Sequence, residues 1–375
     1  MKFAFALFRY YPFGGLQGDT LRIALEAIRR GHEVTLFTTD WSGEAVPEGL
    51  RLRLLPRRGW SNHARIRRFA EDFARATAAE PFDLKVAFDR IPGGDLYFAA
   101  DNCRAAILAG QHAPWLLHLH PRYRQILALE RAVITDPATH IACISERQIE
   151  EYGNCYHVPK ERFSLLPPGI DPAFCAPADR AASAARLHAA YGWSSDTLVL
   201  IQVGIGERKG TPTLLRALRE VKRRGTPRPL RALFVGPDHR NRMAALAFRY
   251  GLTAETRFAG PRHDVPQLLA GADLALHPAH DEAAGNVLPE SIACGTPVLA
   301  AAACGFAPLV AHCGGELLPD SYDWRDLADR ILAFAADPET PRRRLAERAD
   351  CRDFHRRPAV FCDRMEELAR RKAAR

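Results

Sequence analysis

Residues 279–299 read AHDEAAGNVLPESIACGTPVL, and this segment decides how the second half of the chain folds. A short apolar run, 274–276, precedes it, and another, 297–303, overlaps its end. Each run is typical of a strand buried on both faces. Between the runs, glycine, asparagine and proline occupy positions that favour a tight loop followed by a helix start. The segment therefore predicts a strand–loop–helix–strand unit of a parallel sheet.

Two acids lie in this unit. We place Glu282 in the loop and Glu290 inside the helix, which begins near Gly285 to Val287 with Asn286 as a favourable cap. Carboxylates accept hydrogen bonds from vicinal hydroxyls, and the first N–H groups of a helix have no partner within it. A surface made of these two carboxylates and the helix start suits a sugar ring at one end and ribose hydroxyls at the other. The spacing alone is also compatible with two solvated surface glutamates.

Apolar runs alternate with helical spacing over the rest of the chain. In the first half this pattern predicts helices at 19–30 and 61–79, and strands at 2–8, 33–39, 50–55, 84–88, 96–100 and 141–145. Pro-Pro-Gly at 167–169 breaks the pattern, and a polar, Ala-rich connection runs on to Asp196. The alternation then restarts, with predicted strands at 197–203, 232–236, 256–260, 274–276 and 298–302.

Two successive β/α halves predict an α/β protein with two Rossmann-like domains that face each other across a cleft. We place the N-terminal domain at 1–170 and the C-terminal domain at 171–354. A last helix, within about 355–375, is expected to pack back on the first domain. Ligands of such sheets bind beyond the carboxyl ends of the strands, so the loops at those ends are the candidate sites.

Composition and charge exclude several classes of protein. The 375 residues carry a net charge of +8, mostly from arginine, because only six residues are lysine. This balance favours anionic partners such as nucleotide phosphates or an acidic membrane face, and it is a weak argument for nucleic acid. The nine cysteines are scattered without a C-x-x-C pair, so we predict that they are reduced and that zinc is absent. With no long apolar run and no signal peptide, we expect a cytoplasmic protein.

A second glycine-rich loop, 203–210, precedes a helix predicted at 211–223. Gly204 allows the backbone to approach an anion closely, and Arg208 and Lys209 add two cations beside the helix start. The loop matches neither a Walker P-loop nor a dinucleotide fingerprint. A solvated turn with an ordinary basic pair is the alternative. Since no D-x-D pair occurs in the chain, we expect these two cations, rather than a metal ion, to neutralise a bound diphosphate.

The first half offers fewer candidates. Gly14 and Gly15 follow the first strand, Asp19 lies in the helix after them, and Asp101 ends a predicted strand. Gly-Gly is above all a turn, and Asp101 could equally cap the segment that follows it. The chain contains neither G-x-S-x-G nor H-E-x-x-H, and no cysteine has a histidine partner by local motif, so no enzymic nucleophile is predicted.

Taken together, these segments resemble family GT4 of the retaining glycosyltransferases with the GT-B fold. Within that family they are similar to the glucosyltransferases of the lipopolysaccharide core. The similarity lies in YPFGGLQGD (11–19), FAAD (98–101), LPPGI (166–170), ADLALHPAHDEAAG (272–285) and the Gly-Thr-Pro segment (295–297). It implies transfer of a hexose, glucose from UDP-glucose, onto a heptose of the inner core, with no cofactor and no metal. The lipid-anchored glycan would be the acceptor, and no nucleic acid would bind.

The resemblance also implies roles for individual residues. Glu282 would hold hydroxyls of the donor sugar, Glu290 would bind the ribose, and Arg208 and Lys209 would bind the diphosphate. Asp19 and Asp101 match polar positions on the acceptor side. The remaining donor contacts would come from Gly14, Gly15, Gly204, Arg262, Ala283, Ala284, Gly285, Asn286 and Val287.

A basic and aromatic stretch, 104–131, predicts where the protein would meet a membrane. It contains Arg104, Arg122, Arg124 and Arg131, interleaved with apolar and aromatic residues and only one acid. That mixture suits an anionic headgroup layer, so we expect a peripheral protein on the inner face of the inner membrane. The alternative is an amphipathic helix that covers the sheet. Two other functions stay open: a sugar-nucleotide epimerase, and a non-catalytic basic adaptor for membrane or nucleic acid.

Overall fold

The computed structural model describes residues 1–374 except for 13, 44, 110–119, 167–168, 171, 175–178, 237–238 and 349–356. The chain divides into two compact units, Met1–Pro167 with Arg356–Arg375, and Pro168–His355. We call them the N-terminal and the C-terminal domain. The Pro-Pro pair that the sequence suggested as a break lies outside the described residues.

The N-terminal domain contains a parallel sheet in the strand order β3-β2-β1-β4-β5-β6-β7. The strands are β1 Lys2–Ala6, β2 Glu33–Thr38, β3 Leu50–Leu54, β4 Leu84–Ala87, β5 Leu96–Ala99, β6 His140–Cys143 and β7 Phe163–Leu165. Its helices are α1 Gly15–Arg29, α2 Asn62–Ala78, α3 Arg104–Ala109, α4 Pro121–Ile134, α5 Glu146–Tyr156 and, from the C-terminus, α14 Arg357–Ala373. Helix α14 packs against α1.

The C-terminal domain repeats the arrangement in the strand order β10-β9-β8-β11-β12-β13. Its strands are β8 Leu198–Val203, β9 Leu230–Val235, β10 Thr256–Gly260, β11 Leu274–His277, β12 Val298–Ala301 and β13 Glu316–Leu318. Its helices are α6 Arg180–Tyr191, α7 Thr211–Arg224, α8 Arg240–Arg249, α9 Val265–Gly271, α10 Val287–Ala293, α11 Ala307–His312, α12 Trp324–Ala336 and α13 Glu339–Ala346.

The central strands of both sheets are buried on two faces, as their apolar sequences predict. Strand β11 is buried at all four positions, and β8 is buried at five of six. Helix α7 buries Leu214, Leu215, Leu218 and Val221 on one stripe, and each such side chain contributes about 1.5–3 kcal/mol when it leaves water. The GT-B fold class predicted from the sequence, with two Rossmann-like α/β domains, is confirmed.

Three local predictions need correction. The stretch before Asp196, predicted as a connection, contains the helix α6, which is capped by Asp179 and ended by Gly192. Helix α1 begins at Gly15, four residues before the predicted start, because packing outweighs the low helix propensity of its glycines. Cys313 is disulfide-bonded, so the prediction of reduced cysteines is wrong at that residue.

Each sheet has one point where the strand order reverses direction. It lies between β1 and β4 in the N-terminal domain and between β8 and β11 in the C-terminal domain. Loops that follow the strands on both sides of such a point form a crevice, and this is where ligands of doubly wound sheets bind. No helix among the described residues is long and apolar enough to span a bilayer.

Candidate active site

Two loops meet at the reversal point of the C-terminal sheet. One follows β8 and carries Arg208 and Lys209, and the other follows β11 and carries Glu282. The Nζ atom of Lys209 donates a hydrogen bond to Oε2 of Glu282, although 73 residues separate the two in sequence. The structure therefore brings together one of the two predicted cations and the first predicted acid.

Electrostatics keep Glu282 ionised. Its side chain is 13% exposed, and burial alone would raise its pKa, but His277 and the charge of Lys209 outweigh burial and lower the pKa to about 2. The Nε2 atom of His277 lies 3.6 Å from Oε2 of Glu282. Burial lowers the pKa of His277, so its imidazole is neutral at neutral pH.

Backbone contacts hold the two loops in place. The N–H group of His280 donates to the carbonyl of Arg208 (2.9 Å), and the side chain of Gln202 donates to the carbonyl of Lys209 (2.7 Å). Gly210 has a φ of 70°, and a Cβ atom there would lie 1.8 Å from the carbonyl oxygen of Pro278. Only glycine can therefore bring the basic loop this close to the loop that carries Glu282.

Arg208 differs from its neighbour in exposure and pairing. Its side chain faces solvent, and none of the described carboxylates lies within 4.0 Å of it. The site thus offers one cation that is already paired and one that is available to an incoming anion. Gly204 follows β8 at the base of the same loop, where its N–H group donates to the carbonyl of Val235 (2.8 Å).

The segment after Glu282 folds largely as its sequence predicts. Helix α10 begins at Val287, and Glu290 lies in its first turn. Asn286 occupies the cap position, but its side chain makes no cap hydrogen bond, which corrects the predicted capping. The N–H group of Leu288 donates to the carbonyl of Gly285, so this group is not available to a ligand.

Ala283 and Ala284 are held by the loop that follows β12. The N–H group of Gly305 donates to the carbonyl of Glu282 (3.1 Å), and that of Phe306 donates to the carbonyl of Ala284 (2.9 Å). A Cβ atom on Gly305 would lie 1.8 Å from the carbonyl oxygen of Ala283. This close approach fixes the backbone beside Glu282. Arg262, in the loop after β10, is half exposed and paired with Asp264 (2.7 Å).

In the N-terminal domain, Gly14 immediately precedes α1 and Gly15 is its first residue. Asp19 points away from solvent and is only 4% exposed. Its carboxylate accepts from Arg22 (2.8 Å) and from Arg357 (2.9 Å), and Arg357 is 1% exposed. The carboxylate of Asp19, which the resemblance assigned to the acceptor side, is therefore already paired with two guanidinium groups.

Asp101 follows β5 and is 59% exposed, with its carboxylate 2.9 Å from Nη1 of Arg90. The start of α3 is capped by Glu130 instead, which accepts from the N–H groups of Arg104 (2.9 Å) and Ala105 (3.0 Å). Glu130 is fully buried, and it also binds Arg90 (2.9 Å). The alternative role proposed for Asp101, a cap for the following segment, thus belongs to a residue of α4.

Sequence reasoning missed four polar residues at these sites: His277, Asp89, Arg90 and Glu130. The first three follow or end a predicted strand at its carboxyl end, which is a usable signal. Glu130 lies within a helix and carries no such signal. Within the described residues, no three His, Cys, Asp or Glu side chains cluster in a way that would hold a metal ion.

Two family models match the chain, one for each domain. The model "Glycosyltransferase Family 4" matches residues 13–174, and the model "Glycosyl transferases group 1" matches residues 184–351. The chain belongs to this family of glycosyltransferases, as the resemblance implied.

Similar proteins include lipopolysaccharide glucosyltransferase WaaG of Escherichia coli K12. It is 35% identical over 374 residues, which cover 97% of this chain and 98% of WaaG. D-inositol 3-phosphate glycosyltransferase of Stackebrandtia nassauensis is 28% identical over 86% of this chain and 80% of its own length.

Solved structures give the same result. A crystal structure of WaaG, a glycosyltransferase involved in lipopolysaccharide biosynthesis, aligns with a TM-score of 0.88 and 32% identity. The alignment covers 97% of this chain and 99% of WaaG. Anabaena Alr3699/HepE, solved in complex with UDP and glucose, aligns with a TM-score of 0.67 and 19% identity over 100% of this chain and 98% of HepE. This second likeness shows the fold alone.

Proposed function

We propose that the chain transfers glucose from UDP-glucose onto a heptose of the lipopolysaccharide inner core and retains the anomeric configuration. The observation that carries this proposal is the cluster of Arg208, Lys209 and Glu282 at the reversal point of the C-terminal sheet. Cations suit a diphosphate, and a carboxylate suits sugar hydroxyls. The 35% identity to the lipopolysaccharide glucosyltransferase WaaG, over nearly the full length of both chains, supports glucose as the transferred sugar and lipopolysaccharide as the acceptor.

The chemistry needs two things from this cluster. As the glycosidic bond breaks, negative charge grows on the leaving diphosphate, and Arg208 and Lys209 neutralise it without a metal ion. When the donor binds, Lys209 must release Glu282 and bind the phosphate. The carboxylate of Glu282 is then able to accept hydrogen bonds from hydroxyls of the transferred sugar. His277 stays beside Glu282 when Lys209 leaves it, and this contact continues to favour the anionic carboxylate. Glu290 would bind the ribose.

Retention requires that the acceptor approaches the face from which the diphosphate leaves. In this proposal an oxygen of the departing phosphate takes the proton of the acceptor hydroxyl, so no enzymic nucleophile is assigned. The backbone beside Glu282, held by the loop that follows β12, would present Ala283, Ala284 and Gly285 to the sugar. Gly14 and Gly15 would supply N–H groups from the N-terminal domain.

Product analysis tests the proposal. Purified protein is incubated with labelled UDP-glucose, with and without lipopolysaccharide truncated to its heptose region, and the linkage is determined by NMR. We expect UDP and an α-linked glucose on heptose only when the acceptor is present. A changed sugar on the nucleotide without acceptor would identify an epimerase. Failure to bind UDP-glucose would overturn the choice of donor, and it is also the result that the non-catalytic adaptor predicts.

We also propose that the protein docks on an anionic membrane surface through the stretch 104–131. Helix α4 exposes Arg122, Arg124 and Arg131, whereas Val133 and Ile134 of its last turn are buried in the core. Residues 110–119, with the tryptophan of this stretch, lie outside the described residues. Each exposed cation near an anionic surface contributes about 1 kcal/mol.

Vesicle flotation tests this docking. Binding should require anionic lipid, weaken with added salt, and fall when Arg122 and Arg124 are both replaced by Glu. Arg147→Glu is the matched control, because Arg147 is an exposed arginine of a different helix, α5. Equal binding to neutral vesicles, or equal loss in the control, would mean that the stretch serves only to cover the sheet.

A further inference from the structure

A cavity of about 450 Å³ opens in the N-terminal domain beyond the carboxyl ends of β4 and β5. Its volume falls in the range of small-ligand sites, about 300–1,000 Å³. The polar residues Asp89, Arg90 and Asp101 follow the two strands, and the walls come from α3, α4 and Ile66 of α2. Strand β4 borders the reversal point of this sheet, so the cavity lies where ligands of such sheets bind.

A buried ionic network holds the polar end of the cavity rigid. Arg90 donates to Glu130 (2.9 Å), to Asp101 (2.9 Å) and to the carbonyl of Asn102 (2.8 Å). Glu130 is fully buried and also accepts from the hydroxyl of Tyr156 (2.8 Å). Two carboxylates face this one guanidinium, so the charge of Arg90 is fully compensated, and Arg90 fixes the geometry of the site rather than binding an anion.

Asp89 lines the cavity beside this network. Its Oδ2 atom accepts from the N–H group of Phe8 (2.6 Å), while Oδ1 accepts no hydrogen bond from any residue that the structure describes. Burial raises the pKa of Asp89 to about 6. A carboxyl group in this position can accept from, or donate to, a ligand hydroxyl.

Two further cations on the walls lack acidic partners. Arg104 of α3 and Arg122 of α4 both line the cavity, and in the described parts of the chain no carboxylate lies within 4.0 Å of either guanidinium. Between them the walls carry the ring of Tyr123 and the aliphatic side chains of Ile107, Leu108, Ile126 and Leu129. A hydroxyl-binding acid, an apolar wall and two unpaired cations together match the parts of an acidic sugar.

We propose that this cavity binds an acidic sugar unit of the acceptor glycan, with a ring hydroxyl at Asp89 and a carboxylate or phosphate group at Arg104 and Arg122. The inference rests on the proposed function, because it names a charged unit of the acceptor for that reaction. The anionic group would select acceptors that carry such a sugar over neutral glycans of the same shape.

Direct binding tests the inference without turnover. Glucuronate, glucose 6-phosphate and neutral glucose are titrated by NMR into protein whose donor site is saturated with UDP. We expect at least one acidic sugar to bind more tightly than glucose. The Arg104→Gln/Arg122→Gln variant should lose about 10- to 100-fold in that affinity, the size of a charge-assisted hydrogen bond. Arg67→Gln, an exposed change on α2 next to Ile66, should bind like the wild type.

Comparing glucuronate with glucose 6-phosphate identifies whether carboxylate or phosphate is preferred. Equal binding of all three sugars, or equal affinities in wild type and double variant, would overturn the inference. In turnover assays the double variant should raise the acceptor KM about 10- to 100-fold. This effect should disappear with acceptor that has been carboxyl-reduced or treated with phosphatase.

Three outcomes of these assays are separable. Intact UDP affinity and turnover, without any charge-dependent acceptor effect, would overturn this inference and leave the proposed function standing. No transfer to any acceptor would overturn the proposed function itself. Loss of vesicle binding in the double variant, with unchanged affinity for the acidic sugars, would assign Arg104 and Arg122 to a lipid surface and overturn the sugar site.

Discussion

Replacing Asp19 with alanine should destabilise the N-terminal domain, because it leaves Arg357 buried without the carboxylate that faces it. Arg357 is 1% exposed, and its Nη1 atom lies 2.9 Å from Oδ2 of Asp19. An arginine keeps its proton near neutral pH, so its buried charge needs a partner. Removing one member of a buried ion pair costs about 3–5 kcal/mol, and we expect a loss of that size.

The reverse substitution should cost less. In Arg357→Met, Asp19 still accepts from Nη2 of Arg22 at 2.8 Å, so its carboxylate keeps a charged partner. The double variant Asp19→Leu/Arg357→Met removes both charges, and such apolar replacements are often neutral or stabilising. We therefore expect the double variant to be more stable than Asp19→Ala.

Hydrogen exchange measures the effect locally, which suits a chain with two domains better than a single unfolding midpoint. Since about 1.4 kcal/mol is a factor of ten, the protection of amides in α1 and α14 should fall roughly a hundred- to several-thousand-fold. Helices α7 and α12 of the C-terminal domain serve as an internal control. Arg29→Ala is the matched variant, because Arg29 of α1 is 72% exposed and solvent weakens its pair with Glu26.

The reasoning is refuted if Asp19→Ala changes the protection of α1 and α14 no more than Arg29→Ala does. Loss of turnover with unchanged exchange would point instead to the acceptor-side role that the resemblance implied for Asp19. If both protection and turnover are lost, turnover is measured again at a temperature where the variant remains folded. This measurement separates unfolding of the domain from loss of an acceptor contact.

Three further predictions concern the donor site. Turnover should survive EDTA, because the charge of Lys209 replaces a metal ion there; a loss that Mg²⁺ or Mn²⁺ restores would contradict this. Lys209→Ala should lower turnover by roughly 10²–10³. It should also raise the pKa of the Glu282 carboxyl above its value of about 2, as followed by NMR titration, because the neighbouring cation is gone. Calorimetry should show that Glu290→Ala weakens UDP binding by about 1.5–3 kcal/mol, whereas Glu282→Ala leaves UDP affinity nearly intact and cuts turnover. Equal loss of UDP affinity in both variants would contradict the assignment of the ribose to Glu290 and of the transferred sugar to Glu282.

Local pattern was sufficient for most of the fold. Buried parallel strands are continuous apolar runs, so β8, β10 and β11 could be located from sequence within a residue or so. The three-residue strands β7 and β13 were missed, because so short a run resembles any apolar loop. Helix α6 was missed although Asp179 and Gly192 are recognisable end signals, because its alanine-rich turns lack a clear apolar stripe.

The sequence by itself located the three segments that we propose carry the chemistry: the loop with Glu282, the helix turn with Glu290 and the glycine-rich loop with Arg208 and Lys209. Each depends on residues within one turn or loop, and such short-range preferences are readable from the chain. The tertiary structure alone decided which charges meet. Asp19 and Arg357 are 338 residues apart, and the carboxylate of one neutralises the guanidinium of the other only because α14 packs on α1. Pairing energy depends on distance and burial, which strand order sets and sequence spacing does not.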